Sequence, residues 1–292
     1  MFDTNRVAFS GFWWEGLDSS EKVSRVCNDL AQLGYRGVEW KETCFGSAGE
    51  ALGRLKMAAE ATVQSGLEVT DFVILRNLVT PEGSIRAANE VAEFVRAAAD
   101  AGVDTVNIVS GPEIAERVSE DQWWKPAGPD WSGSWDSLGR SLEIVLAAAE
   151  SANVVIALET LAGNLVHDYY SALELLRRFD SPRLAFTFDP SHFLIHGNDI
   201  GYAIRALADK IRLVHVKDAV GRVGVFGRDF LFPVLGEGAI DWQDFFAALK
   251  DIDYGGWMSI EFESFKYMYE VLGGNALEAA RLSMTSYREL AQ

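Results

Sequence analysis

Cysteine, proline, histidine and positive charge are all scarce in this chain. Two cysteines occur in 292 residues, Cys27 in a predicted helix and Cys44 in a predicted loop. No CxxC spacing joins them, so two free thiols in a reducing compartment are expected rather than a disulfide or a thiolate zinc site. Only 7 prolines are present, there is no poly-Gln or Gly/Ser tract, and the composition is 49% apolar and 24% charged, which argues against disorder. No apolar run approaches the roughly 18 residues that a membrane span needs. The start, MFDTNRVAFS, lacks the basic and apolar regions of a secretion signal, so a cytoplasmic protein is expected. With 26 basic against 43 acidic residues the formal charge is −17, which repels nucleic-acid backbones and anionic membranes.

What the sequence has in quantity is a repeat. LAQLGYRGVEW, TVQSGLEVTDFVIL and AADAGVDTVNIVS each run from a helical pattern through a glycine into a β-rich stretch. Gly34, Gly66 and Gly102 take the left-handed position just past a helix end, and Asn153 takes it in AESANVVIALE. The glycines are 32 and 36 residues apart, and an eighth of the chain is 36.5 residues, close to one strand-loop-helix-loop unit. Eight units make a single α/β domain over residues 1–292, a (β/α)8 TIM barrel. Strands are expected near 7–12, 37–40, 67–75, 105–110, 154–160, 184–190, 211–218 and 256–263. Most, such as VVIALE and IRLVHV, are apolar on both faces, as a helix-covered parallel sheet requires. The helix before Gly102 shows the intervening pattern: Thr80 caps, Pro81 occupies the first turn, and Ile85, Ala88, Val91, Ala92, Val95 and Ala99 form an apolar stripe.

Against that apolar background, four polar residues close successive strands: Glu159 ends VVIALE, Asp189 ends LAFTFD, His215 ends IRLVH and Glu261 ends GWMSIE. Any one of them reads equally well as an ordinary strand-end polar group. Four in register are the arrangement that surrounds one divalent metal at the mouth of a parallel barrel. Three carboxylates and one imidazole suit Mn²⁺, preferred here, or Mg²⁺ or Co²⁺, and a dication offsets the repulsion among the carboxylates. Glu263 points to the same side as Glu261; Glu261 is chosen because it lies five residues after Gly256.

Further candidates surround this set. Lys217 shares the inward parity of His215 and suits a carbonyl or hydroxyl, although a solvated rim lysine is the plainer reading. Two long connections, near 111–134 and 219–239, follow strands and so should cover the catalytic face. The second carries Arg222 and Arg228, each more often a surface charge than a ligand. Trp14, Trp40, Trp123 and Trp124 fall at or beyond strand ends, where aromatic faces stack on sugars; core packing is the plainer reading of any one. His167 and His196 are read as structural. No Gly-rich phosphate cradle is present, because GEG at 236–238 lacks the strand-to-helix context.

The motifs ALE at 157–159, FDPSH at 188–192, HVKD at 215–218, LGEGAIDW at 235–242 and GGWMSIE at 255–261 make the chain resemble the xylose-isomerase-like superfamily of sugar isomerases and epimerases. The resemblance implies one divalent metal held by Glu159, Asp189, His215 and Glu261, with the two glutamates moving protons on and off a substrate carbon next to a ketone. It also matches His192 to a histidine that contacts substrate oxygens; a histidine bonded to backbone is its plainer reading. Stabilisation of the resulting enediolate by a metal makes such a carbon acid accessible to a carboxylate. The resemblance then implies a small-molecule sugar or keto-glycoside as the substrate and a homo-oligomer as the assembly, with an accessory subunit as the alternative.

The sequence departs from the pattern of ketose 3-epimerases in two places. Those enzymes carry a second glutamate six residues after the strand-five ligand and an arginine six after the strand-seven histidine; this chain has Leu165 and Gly221 there, with Arg222 one position later. HVKD and its loop look more like inosose dehydratases and enzymes that cleave 3-keto-glycosides by elimination. A lyase with the same metal and base therefore stands beside the isomerase. An apurinic-site endonuclease is disfavoured by four histidines, too few for its zinc sites, and by the charge of −17. A non-catalytic sugar-binding module would not need the metal set.

Overall fold

A computed structural model describes residues 6–80, 83–111 and 131–291. Eight parallel strands close a barrel: β1 (Val7–Ser10), β2 (Gly37–Lys41), β3 (Glu68–Ile74), β4 (Thr105–Val109), β5 (Val155–Glu159), β6 (Leu184–Phe188), β7 (Ile211–Val216) and, last in the chain, β10 (Trp257–Ile260). Between β7 and β10 a two-residue antiparallel pair, β8 (Val220–Gly221) and β9 (Phe230–Leu231), makes a small hairpin. The barrel order is β1-β10-β7-β6-β5-β4-β3-β2, sequential around the ring apart from that hairpin. This is the expected (β/α)8 barrel, and each barrel strand lies at its predicted place.

Helices α1 (Ser20–Leu33), α2 (Ala48–Gln64), α3 (Ser84–Asp100), α4 (Trp131–Ala152), α5 (Tyr169–Arg178), α6 (Pro190–Ile195), α7 (Ile200–Leu207), α8 (Trp242–Asp251), α9 (Phe265–Glu270) and α10 (Ala276–Leu290) complete the fold. Gly34, Gly66 and Gly102 have φ of 102, 82 and 76°, and Asn153 has 57°. All four are left-handed, as their positions after a helix predict. No described helix is long and apolar enough to cross a membrane.

The helix before Gly102 begins later than its sequence suggests. Gly83 occupies the cap of α3, and the Thr80 carbonyl accepts the Ser84 amide at 3.1 Å; Pro81 lies outside the described residues. The buried stripe is Ser84, Ala87, Ala88, Val91, Ala92, Phe94, Val95 and Ala98, while Ile85 is 43% exposed.

Alternation along the strands decides what each residue meets. On β2, Glu39 shares a register level with Ser10 and Asp71, and faces the barrel interior with them. Its neighbour Trp40 must point outward: it is fully buried against α2, where its indole N–H donates to Thr62 Oγ1 at 3.0 Å and its ring meets Phe45 edge-on at 5.6 Å. Trp40 is thus a core residue and not a platform for a sugar, which corrects the expectation from its place at a strand end.

Candidate active site

β5, β6, β7 and β10 are successive neighbours in the barrel, so their C-terminal ends form one arc. Glu159 ends β5, Asp189 follows β6, His215 is next to last in β7 and Glu261 follows β10. Each offers one ligand atom, and the four atoms lie within 4.8 Å of one another. His215 Nδ1 is 3.4 Å from Glu159 Oε1, 3.4 Å from Glu261 Oε2 and 3.7 Å from Asp189 Oδ2. Ligand bonds of about 2.1 Å separate neighbouring donors by about 3–4 Å. The set therefore needs only small shifts to close on an ion.

Two local features aim the donors. Asp189 Oδ1 accepts the Ser191 amide at 2.8 Å and caps α6, where Pro190 fills the first turn, and this leaves Oδ2 for the cluster. His215 Nε2–H donates to Glu39 Oε2 at 2.8 Å, with both residues buried. That bond holds the ring so that Nδ1 faces the carboxylates. Nδ1 has no hydrogen-bond partner, its nearest carboxylate oxygens being 3.4 Å away. A buried nitrogen without a bond, facing three carboxylate oxygens, fits a cation placed between them. Behind Glu39, Asp71 accepts the Thr70 hydroxyl at 2.6 Å; burial, reinforced by the charge of Glu39, pushes its carboxyl well above the usual range.

Lys217 enters from the other side. Its ammonium lies 2.7 Å from Asp189 Oδ2, 2.6 Å from Glu261 Oε2 and 2.9 Å from Glu263 Oε2, and only 2% of its side chain is exposed. It is a buried ion-pair centre, not a solvated rim lysine. His192, one turn into α6, places Nε2 3.3 Å from that ammonium and 3.4 Å from Asp189 Oδ2. The Phe232 ring covers both, 4.7 Å from the ammonium and edge-on to the imidazole at 5.4 Å.

Charge is unevenly distributed across the cluster. Burial raises Glu159. Burial also acts to raise Glu261, but Lys217 and His215 outweigh it and hold that carboxyl at about 2. Glu263 is pushed up to about 7, first by burial and then by Glu261. Burial, reinforced by Lys217, lowers His192 to about 3, so its imidazole is neutral. His215 is raised well above its usual value because Glu39, Glu159 and Glu261 together outweigh burial.

The remaining sequence candidates are distributed differently. Arg222 is exposed on the hairpin, where its backbone amide donates to Asp229 O at 3.0 Å. Arg228 is also exposed, paired with Asp229. Trp14 is half-buried and packs edge-on to Phe9 at 5.8 Å. The neighbouring Trp13 reaches the site's edge: its indole N–H donates to Phe262 O at 2.6 Å, between Glu261 and Glu263. Trp123 and Trp124, with most of the 111–134 connection, lie outside the described residues. The 219–239 connection carries Phe232 over the cluster. His167 and His196 bond backbone carbonyls through Nδ1, each at 2.8 Å.

Sequence reading missed Glu39, Asp71, Phe232 and Asp218. A charged residue inside an otherwise apolar strand, as in GVEW and VTDFV, was the available signal for the first two. Asp218 gathers the loop after β7: its carboxylate accepts the amides of Ala219, Gly236, Gly238 and Ile240 and the Trp242 indole N–H.

A closed parallel barrel with a carboxylate and imidazole cluster at the C-terminal ends of its strands defines a class of enzymes that work on small polar molecules at the barrel mouth. The family described as Xylose isomerase-like TIM barrel matches residues 27–290, and the chain belongs to it. It is 26% identical over 270 residues to the L-ribulose 3-epimerase of Mesorhizobium japonicum, covering 89% of this chain and 81% of that one. It is 24% identical over 262 residues to the inosose dehydratase of Bacillus velezensis, covering 85% and 83%. The solved structure of IolI protein with a zinc atom shares the fold, with a TM-score of 0.74 at 20% identity over 98% of this chain and 97% of that one. The chain is an enzyme of this superfamily.

Proposed function

We propose that this enzyme is a divalent-metal-dependent sugar isomerase or epimerase that removes a proton next to the ketone of a keto sugar or related polyol. The observation that carries the reading is the placement of one glutamate at each end of the four-strand arc, Glu159 on β5 and Glu261 after β10. Glu159, Asp189, His215 and Glu261 would hold the metal, with Mn²⁺ favoured by three carboxylates and one imidazole. When bound, the ion supplies positive charge where the oxygens of a deprotonated hydroxyketone become negative.

The chain's own groups account for the rest. One glutamate takes the proton from carbon and the other returns it, and their separation along the arc lets the two act from different sides of the sugar. His192, neutral, and Lys217, charged, stand side by side next to the four donors and suit substrate oxygens as acceptor or donor. The Phe232 ring over both keeps water from them.

A lyase with the same metal and base is the second reading. Leu165, which stands where ketose 3-epimerases carry a glutamate, is buried and tied by its amide to Gly111 O at 2.9 Å, so it offers no polar group to a ketose. Elimination from an inosose or a 3-keto-glycoside begins with the same proton abstraction.

The test is incubation of the Mn²⁺-loaded enzyme in D₂O with free ketoses, inososes and 3-keto-glycosides, followed by NMR and mass spectrometry. Deuterium next to the ketone with an intact skeleton establishes the isomerase or epimerase. Loss of water or aglycone establishes the lyase, and absence of exchange in every substrate sinks both. Glu159→Gln should abolish turnover and weaken Mn²⁺ binding; sugar binding that survives unchanged without any turnover in the wild type would point to a non-catalytic module.

A further inference from the structure

We infer that Lys217 is an internal cation that competes with the metal for Asp189 and Glu261, and that Glu263 is the seat the ammonium keeps when it yields them. The inference rests on the metal-site reading above.

The geometry sets up an exchange. The oxygens that Lys217 holds on Asp189 and Glu261, at 2.7 and 2.6 Å, are the same ones that face His215 Nδ1 at 3.7 and 3.4 Å. Glu263 Oε2 lies 2.9 Å from the ammonium, and Glu263 is not among the four clustered donors. An ammonium has three N–H donors and no acceptor, and those of Lys217 reach Glu261, Glu263 and His192, with Asp189 Oδ2 in ion-pair contact beside them. A dication among the four donors needs the lone pairs that Lys217 occupies, and two cations a few ångströms apart in a buried site repel strongly. The ammonium's remaining partners are then Glu263, His192 and the face of Phe232. In that seat the N–H that bonded Glu261 is released, next to the one that reaches His192 at 3.3 Å. One lysine thus has two successive duties. Before metal arrives it offsets the repulsion of buried carboxylates, and afterwards it presents donors to substrate oxygens.

Calorimetric titration of Mn²⁺ into the metal-free wild type, Lys217→Met, Glu263→Gln and the double variant tests this. Removing the competitor in Lys217→Met should tighten Kd on the order of tenfold or more, and removing the seat in Glu263→Gln should loosen it by about three- to tenfold. The decisive comparison is the double variant. With no ammonium to seat, Glu263→Gln should change Kd by less than about twofold in the Lys217→Met background. A simple field effect would instead let Glu263→Gln weaken binding by the same factor in both backgrounds, and that additivity would overturn the inference.

A second measurement needs no folded variant to report. In wild type with ¹³Cε-labelled lysine, one buried resonance should move in step with binding of diamagnetic Mg²⁺, and its staying fixed would also overturn the exchange. A wild type that binds neither Mn²⁺ nor Mg²⁺ refutes the metal-site reading itself, a result distinct from binding without competition.

Discussion

Replacing Asp218 by asparagine tests how the site's covering loop is held. The carboxylate is buried and sorts five donors between two oxygens. Oδ2 accepts Gly236 N and Gly238 N at 3.0 Å and Trp242 Nε1 at 3.2 Å, while Oδ1 accepts Ala219 N at 2.9 Å and Ile240 N at 3.4 Å. Asparagine has the same shape, but its amide nitrogen must replace one of these oxygens. Even in the better orientation, with nitrogen at the Oδ1 position, two N–H donors face another N–H. Losing two hydrogen bonds to a charged acceptor at about 1.5–3 kcal/mol each gives about 3–6 kcal/mol of destabilisation. At about 2 °C per kcal/mol in a chain of this size, Asp218→Asn should melt about 6–12 °C below wild type by calorimetry. The loop between β7 and α8 carries Phe232 over Lys217 and His192, so turnover should fall even at temperatures where the variant is folded. A variant that melts within about 2 °C of wild type would show that the loop does not depend on Asp218, and the reasoning would fail.

Other expectations follow from the same structure. Glu39→Gln weakens the acceptor behind His215 Nε2 and should lower Mn²⁺ affinity by about 10–100-fold in a calorimetric titration, a loss typical of groups that orient a ligand; unchanged affinity would remove Glu39 from the site. Trp40→Ala should cost about 3–5 kcal/mol of stability in urea titrations, as core aromatics do, and leave KM unaltered at low temperature. A tenfold rise in KM would return Trp40 to the substrate. Burial raises the thiols of Cys27 and Cys44 to about 11 and about 12. Both should therefore be inert to a chromogenic disulfide in the folded protein and react in concentrated guanidinium, whereas a rapidly reacting native thiol would contradict their packing.

Much of the architecture could be read from local signals. A helix end that needs a left-handed residue selects glycine, or asparagine at Asn153, and four of these in phase mark the unit length. The strands were legible because a barrel wall is apolar on both faces, so Glu159, Asp189, His215 and Glu261 stood out against it. Their being brought together follows from closure, which turns one residue per successive strand into a ring. Arg222 could not be placed in the same way: the hairpin after β7 sets its direction, and hairpins are governed by contacts such as Val223 N to Ile195 O at 2.8 Å rather than by strand parity.

Local pattern by itself determined the eight units, the strand positions and the polar residues at four strand ends, because each depends on backbone preferences within a few residues. Only the tertiary structure decided which face of β2 looks inward, and so sent Glu39 to the site and Trp40 to the core. It also decided that Glu39 should meet His215 across 176 residues, that Lys217 should hold three carboxylates, and that Asp218 should tie down a loop about twenty residues away. Strand alternation is written in the sequence, but its phase is not. Burial and charge pairing across the closed barrel select that phase, since the wrong choice would leave a glutamate without a partner in the apolar layer and an indole in the polar one.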